Sequence, residues 1–390
     1  MQKSLRVNFL DGIRGWASLV VLIGHLMYVA ILTTPILEFN KERLLTDISS
    51  YDFLGFVSFF IVRFLTDGHL AVLIFFVLSG YALSLSHLNF KKRDIPLATA
   101  SRYFRLMIPV LFTTFVIYLL LKLNLFFNLD VLIPEGTSGL LHTIYTFDAN
   151  IFNFFKFSLF DVWTNHKDIS SYNIVLWTMK VELIGSLLIY GYLFIFRRSE
   201  NPRWFIATIV TAILFIIRPF YAAFMMGYLL AELNKKFSMD KINMAINPIS
   251  FKYLIAFIFL VTVMSSALFR GSDHLTLLYA SLIVYSVSYS ANLITFFSNK
   301  ISHFLGLISF PLYLVQIPII CSWSSYLYLQ LSLLKFDPIL SMIINLTSTL
   351  LLCILASRLL LPVENIAIKY SKIIGKLLIF RNSSYIKSQV

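Results

Sequence analysis

The sequence predicts an all-α fold: a polytopic integral membrane protein with about ten transmembrane helices. Three observations predict it. The chain of 390 residues is 58% hydrophobic and only 13% charged, where a soluble domain carries about 25% charged residues. Its apolar residues fall into long runs, each close to the roughly 20 needed to cross a bilayer as a helix. Its lysines and arginines gather in alternate connecting segments. With a mean hydropathy of +0.81 and 38 phenylalanines, the composition excludes a disordered chain, a disulfide scaffold and an ordinary soluble enzyme. Cys321 and Cys353, the two cysteines, sit in apolar runs and form neither a disulfide nor a zinc framework.

Ten apolar stretches can be read, at about 16–34, 69–88, 103–125, 173–196, 204–217, 219–234, 250–269, 275–297, 301–324 and 340–361. Backbone groups in lipid must be bonded internally, so each is expected to be helical. The fifth and sixth are short and meet at Arg218-Pro219, which also allows one re-entrant pair. The first is too long for a cleavable signal peptide, contains a His and lacks a small-residue cleavage site. Placing the N-terminus in the cytoplasm puts 22 lysines and arginines inside, 9 outside and Lys180 within a span. Both termini are then cytoplasmic. The net charge of +13 follows this positive-inside pattern and points to a lipid bilayer, with no nucleic acid as partner. Residues 1–362 form the transmembrane domain. Residues 363–390 are a basic, amphipathic cytoplasmic tail expected on the inner leaflet, with no soluble domain after it. The outer segments are acidic, with Glu38, Glu42, Asp47, Asp52 and Asp67 in 35–68, and Asp130, Glu135, Asp148, Asp161 and Asp168 in 126–172. The aromatic run 152–160 (FNFFKFSLF) suits a membrane surface.

Ionisable residues inside spans are costly and therefore point to function. On the first helix, Arg14 and His25 are eleven residues apart, within about 20° of whole turns, so they share a face about 16 Å apart along the axis. A boundary cation suits an anionic headgroup or phosphate, and a His at mid-depth can move a proton near neutral pH. The plainer alternatives are a core histidine bonded to a Ser or a carbonyl, and an interfacial anchor paired with Asp11. The second helix carries Ser79 and Gly80, small enough for close helix packing, with Ser79 available to hydrogen-bond; His69 marks its outer start. The third helix places Arg102 and Arg105 on one face at i, i+3, where they repel unless an anion lies between them. Arginine suits bidentate phosphate binding, although simple inner-leaflet anchoring is the plainer reading of the pair. Pro109 is expected to bend this helix. On the fourth helix, Glu182 lies near mid-depth and Lys180 projects about 200° away. Glu182 then needs another partner. It can orient His25 and balance its charge, serve as a neutral acid, or form a structural ion pair with a basic residue of a neighbouring helix. The sequence has no Gly-rich phosphate loop, HExxH or GxSxG pattern and no metal-ligand cluster. His142, His166, His274 and His303 are scattered and read as interfacial.

In these residues the chain resembles the acyltransferase-3 family of membrane O-acyltransferases. The opening Phe9-Leu10-Asp11-Gly12-Ile13-Arg14-Gly15-Trp16-Ala17 with His25 matches that family's basic residue, ten intervening residues and His. Arg102 and Arg105 match its Arg-x-x-Arg. Phe75–Gly80 matches its Phe-Phe-x-Leu-Ser-Gly. Trp177, Thr178, Val181 and Glu182 match its Trp-Ser/Thr-x-x-Val-Glu. The stretches 224–231 (FMMGYLLA) and 305–314 (LGLISFPLYL) resemble two further family segments. Two positions depart: Gln316 stands where the family often has a His, and Leu183 replaces a usual second Glu. Many relatives add an extracytoplasmic hydrolase-like domain, and this chain resembles the standalone type.

The resemblance implies a transferase that moves an acyl group, commonly acetyl, from cytoplasmic acyl-CoA to a hydroxyl of a carbohydrate or peptide. The acceptor would be a surface polysaccharide, such as a lipopolysaccharide or exopolysaccharide, or its lipid-linked precursor. It implies Arg14, Arg102 and Arg105 as ligands for the acyl-CoA donor, His25 as general base or acyl carrier, and Glu182 as its orienting partner. No metal is called for. A transporter or flippase for a saccharide or lipid-linked glycan also fits buried ionisable groups and many spans. Nothing in the sequence fixes an oligomeric state.

Overall fold

A computed structural model describes residues 2–33, 60–89, 95–131, 140–166, 171–196, 201–236 and 248–387. The acidic residues Glu38, Glu42, Asp47, Asp52, Glu135 and Asp168, and the basic Lys91, Lys92, Arg93, Arg197, Arg198 and Lys241, lie outside the described residues. Every regular element among the described residues is helical. In chain order the main helices are α1 (Gln2–Thr33), α2 (Gly68–Asn89), α3 (Ile95–Lys122), α4 (Trp177–Ile195), α5 (Asn201–Ile217), α6 (Pro219–Lys236), α7 (Pro248–Leu268), α8 (Asp273–Tyr289), α9 (Ala291–Phe297), α10 (Lys300–Ile319), α11 (Ser325–Leu333) and α12 (Pro338–Lys387).

All ten apolar stretches fall on helix, but the expected count of ten spans is not confirmed. Six helical runs of the described residues are long and apolar enough to cross a membrane: Asn8–Met27, Gly68–Leu85, Ile95–Lys122, Ile174–Ile195, Lys300–Leu333 and Pro338–Ile379. Helices α8 and α9 add a seventh if taken together, as they are bent by 100° at their break. The apolar parts of α5 and α7, Arg203–Ile217 and Lys252–Leu268, are 10–17 residues long, at most about 26 Å of rise. Hydrophobicity alone marks these runs without measuring the helix that they become. Helix α3 continues through Pro109.

Small residues set the packing. A Cβ on Gly80 of α2 would stand 2.0 Å from the Phe224 carbonyl oxygen, and one on Gly227 of α6 would stand 2.1 Å from that of Val77. The two backbones touch, which only glycine permits. Helices α1 and α10 interlock similarly: a Cβ on Gly15 would lie 2.3 Å from the Gly306 amide nitrogen, and one on Gly306 would lie 2.5 Å from the Asp11 carbonyl oxygen. Four of the sequence segments singled out above are thus two helix contacts seen from both sides.

The long segment after α3 is less of a surface feature than its aromatic composition suggests. It forms the helical turns Ile151–Lys156, Phe157–Asp161 and Val162–Thr164. Phe154 and Phe157 are buried, whereas Phe152, Phe155 and Phe160 are exposed. The buried face packs on α3, where the Tyr103 hydroxyl donates to the Leu159 carbonyl at 2.8 Å. The C-terminal stretch 363–387 continues α12 across Pro362 without a break. It packs on the start of α3, and a Cβ on Gly375 would meet Ser101 Oγ at 2.3 Å.

Gly227→Ala should therefore force α2 and α6 apart and destabilise the protein by about 1–3 kcal/mol, as overpacking does. Gly191→Ala, inside α4 with open space around it, should be neutral or stabilise by about 0.5–1 kcal/mol. Thermal unfolding in detergent, with Tm compared for the two variants, checks the contrast.

Candidate active site

Helices α1, α2, α3, α4, α10 and α12 enclose a cavity of about 570 Å³, within the ordinary size of a small-molecule site. Arg14, Arg102, Arg105 and Glu182 all line it, together with Ser79. Four helices remote in sequence thus bring most of the sequence-predicted site residues to one place.

Arg102 is held most tightly. Its Nη2 pairs with the Glu182 carboxylate, and its Nε donates to Ser186 Oγ at 2.8 Å. Ser79 Oγ donates to the same Glu182 oxygen at 2.8 Å. The ion-pair side chains are only 10% and 13% exposed, so the pair satisfies two charges that hydrocarbon would not tolerate singly. The anion expected beside Arg102 is thus supplied by the chain itself. This corrects one expectation: Glu182 meets Arg102 and Ser79, and not His25, because α4 directs it toward α3. Lys180 points away, as its position two residues earlier requires, and donates to the Thr164 carbonyl at 2.5 Å.

Arg14 forms an i, i+3 pair with Asp11 at 3.3 Å, with side chains 29% and 50% exposed. A pair this exposed contributes little, so Arg14 stays available to an anion. Arg105 makes no ion pair among the described residues, and it faces the same cavity.

His25 is not among the residues that line the cavity. Its Nδ1 lies 3.1 Å from Gln316 Oε1, and Gln316 Nε2 donates to the Tyr313 carbonyl at 3.1 Å. The second bond fixes which way the buried amide faces. Its oxygen therefore meets the ring, and the hydrogen-bond network assigns the proton to Nδ1. Nε2 is left with a lone pair, the form needed in a base or nucleophile. On α10 the cavity ends at Tyr313, so the His25–Gln316 pair lies about one turn, roughly 4.5 Å of rise, beyond it. Phe75 and Tyr313, whose rings pack edge to face at 6.2 Å, line that end.

The structure adds cavity residues that the sequence did not single out: His87 and Tyr190, whose rings are 5.6 Å apart, and Glu364, Ile368, Ser371 and Lys372 of α12. The α12 residues stand at i, i+4, i+7 and i+8, one helical face. Glu364 is also the lone acidic residue after position 362. That spacing, with one acid in a basic stretch, was the available signal. Two of the other histidines have clear partners. His69 pairs with Asp273 at 3.0 Å, beyond the solvated position expected of it. His142 bonds the Val131 carbonyl at 2.7 Å.

The whole-chain pattern decides the family. A family model described as an acyltransferase domain, that of acyltransferase-3, matches residues 7–358. The chain belongs to the acyltransferase-3 family. It is accordingly a membrane acyltransferase, with several apolar helices crossing the bilayer. No curated protein and no solved structure matches it. The cavity of this acyltransferase lies mostly within the matched residues, but its α12 wall from Glu364 onward lies beyond them.

Glu182→Gln should leave Arg102 buried without a counter-charge and destabilise the acyltransferase by about 3–5 kcal/mol. Replacing both partners by leucine should recover most of that loss. Denaturant or thermal unfolding of the two single variants and the double variant measures it, and equal losses in all three would remove the pair from the account.

Proposed function

We propose that this acyltransferase transfers an acyl group, acetyl in the simplest case, from cytoplasmic acyl-CoA to a hydroxyl of a surface polysaccharide or its lipid-linked precursor. The observation that carries the proposal is the gathering of Arg14, Arg102 and Arg105 around one cavity in a chain of this family. Arginine clusters suit the phosphates of a CoA donor. On this proposal Arg14 and Arg105 contact them, and Arg102, neutralised by Glu182, shapes the floor. The protein lies in a bacterial inner membrane with both termini in the cytoplasm, so the cavity opens to the donor's compartment.

His25 then acts at the acyl end. Its Nε2 takes the proton of the acceptor hydroxyl as the oxygen attacks the thioester carbonyl. The carbon–sulfur bond breaks, and the imidazolium returns its proton to the departing thiolate. Gln316 is the positioning residue, because it holds Nδ1–H and keeps the Nε2 lone pair available. To reach the imidazole, the acyl end passes the Phe75–Tyr313 pair. A route through an acyl-His25 intermediate uses the same lone pair. Radiolabel trapped on the protein without acceptor identifies it.

Proteoliposomes given radiolabelled acetyl-CoA and saccharide should transfer label to the saccharide. Saccharide movement without label transfer would support a transporter instead. His25→Ala should abolish transfer while the protein still folds. Gln316→Leu should lower kcat by about 10–100-fold, less than the roughly 10²–10⁴-fold of full acid–base assistance, with the donor KM little changed. A wild-type kcat in that variant removes Gln316 from the mechanism.

A further inference from the structure

The cavity keeps positive charge that the chain does not balance. Arg14 is bonded to Asp11, and Arg102 is bonded to Glu182. Arg105 and Lys372 also line the cavity, and neither makes an ion pair or side-chain hydrogen bond among the described residues. The one carboxylate left to them there is Glu364, on the same helix as Lys372. Lysines on α12 are common, and Lys369, Lys372 and Lys376 are all exposed, yet of these three Lys372 alone lines the cavity. The helix is anchored at that place, since Gly375 packs against Ser101 on α3, one residue before Arg102. Lys372 therefore stands at the exposed edge of the cavity. It also lies past the residues that the family model matches.

We propose that Lys372, together with Arg105, binds phosphate of the acyl-CoA donor, and that the segment 363–372 is a wall of the donor site and not a detachable tail. This rests on the function proposed above. A lysine ammonium acts on phosphate as a compact point charge, and the cavity offers it a partner that the empty protein lacks. The phosphate of an anionic lipid headgroup has the same chemistry, so the test separates the two sources.

Full-length protein is placed in nanodiscs of phosphatidylcholine alone, and binding of radiolabelled coenzyme A is measured at equilibrium. Lys372→Glu should weaken binding about tenfold or more, as loss of a charge-assisted contact does. Lys372→Arg should stay within about twofold of wild type, and Lys369→Glu should bind as wild type does. Equal weakening by Lys369→Glu would mean a diffuse charge effect and overturn the proposal. So would unchanged coenzyme A binding in Lys372→Glu, whether or not that variant retains less phosphatidylglycerol from mixed lipid, the result of a lipid-binding lysine. Wild-type protein that binds no coenzyme A would contradict the proposed function itself, and the assignment of Lys372 with it.

Discussion

A guanidinium buried between helices must find an anion within its own protein, and the pairing of Arg102 with Glu182 is how this chain meets that demand. The pair joins α3 to α4. Ser79 brings α2 to the same carboxylate, and Ser186 completes the arginine. Desolvation of two charges makes such a pair a poor source of net stability, yet the loss of either partner is severe. Its value here is positional. It sets the floor of a cavity that Arg14, Arg105 and Lys372 also line.

Close packing of small residues makes that arrangement possible. Gly80 and Gly227 let α2 and α6 touch, and Gly15 and Gly306 do the same for α1 and α10. In lipid there is no hydrophobic gain in bringing helices together, so van der Waals contact and interhelical polar bonds carry the association. The segments that identify the family are largely these contacts, which explains why packing residues and charged residues alternate within them.

Much of this was legible in the sequence. The apolar runs located the helices, the Arg14 and Arg102 positions marked the cavity, and the 200° offset between Lys180 and Glu182 correctly separated them. The partners were harder to see. Periodicity places a side chain on a face of its helix but says nothing of which helix that face meets, so Glu182 was open to both His25 and Arg102. Gln316 read as a departure from the family, whereas in three dimensions it is the group that bonds His25. The count of ten spans is not confirmed for a related reason: among the described residues the apolar parts of α5 and α7 run only 10–17 residues, and α8 and α9 turn by 100° between them. Residues 364–372 read as part of a basic amphipathic tail on the inner leaflet; the sequence did not bring out their packing on α3 through Gly375 and Ser101.

The imidazole and the cavity are separated by about one helical turn, and the proposed chemistry requires the acyl group to cross it. A structure with a non-hydrolysable acyl-CoA analogue tests this most directly. The account predicts phosphates beside Arg14 and Arg105 and the analogue's carbonyl within hydrogen-bonding reach of His25 Nε2. An analogue bound away from those arginines, or one whose carbonyl stays below a closed Phe75–Tyr313 pair, would contradict it.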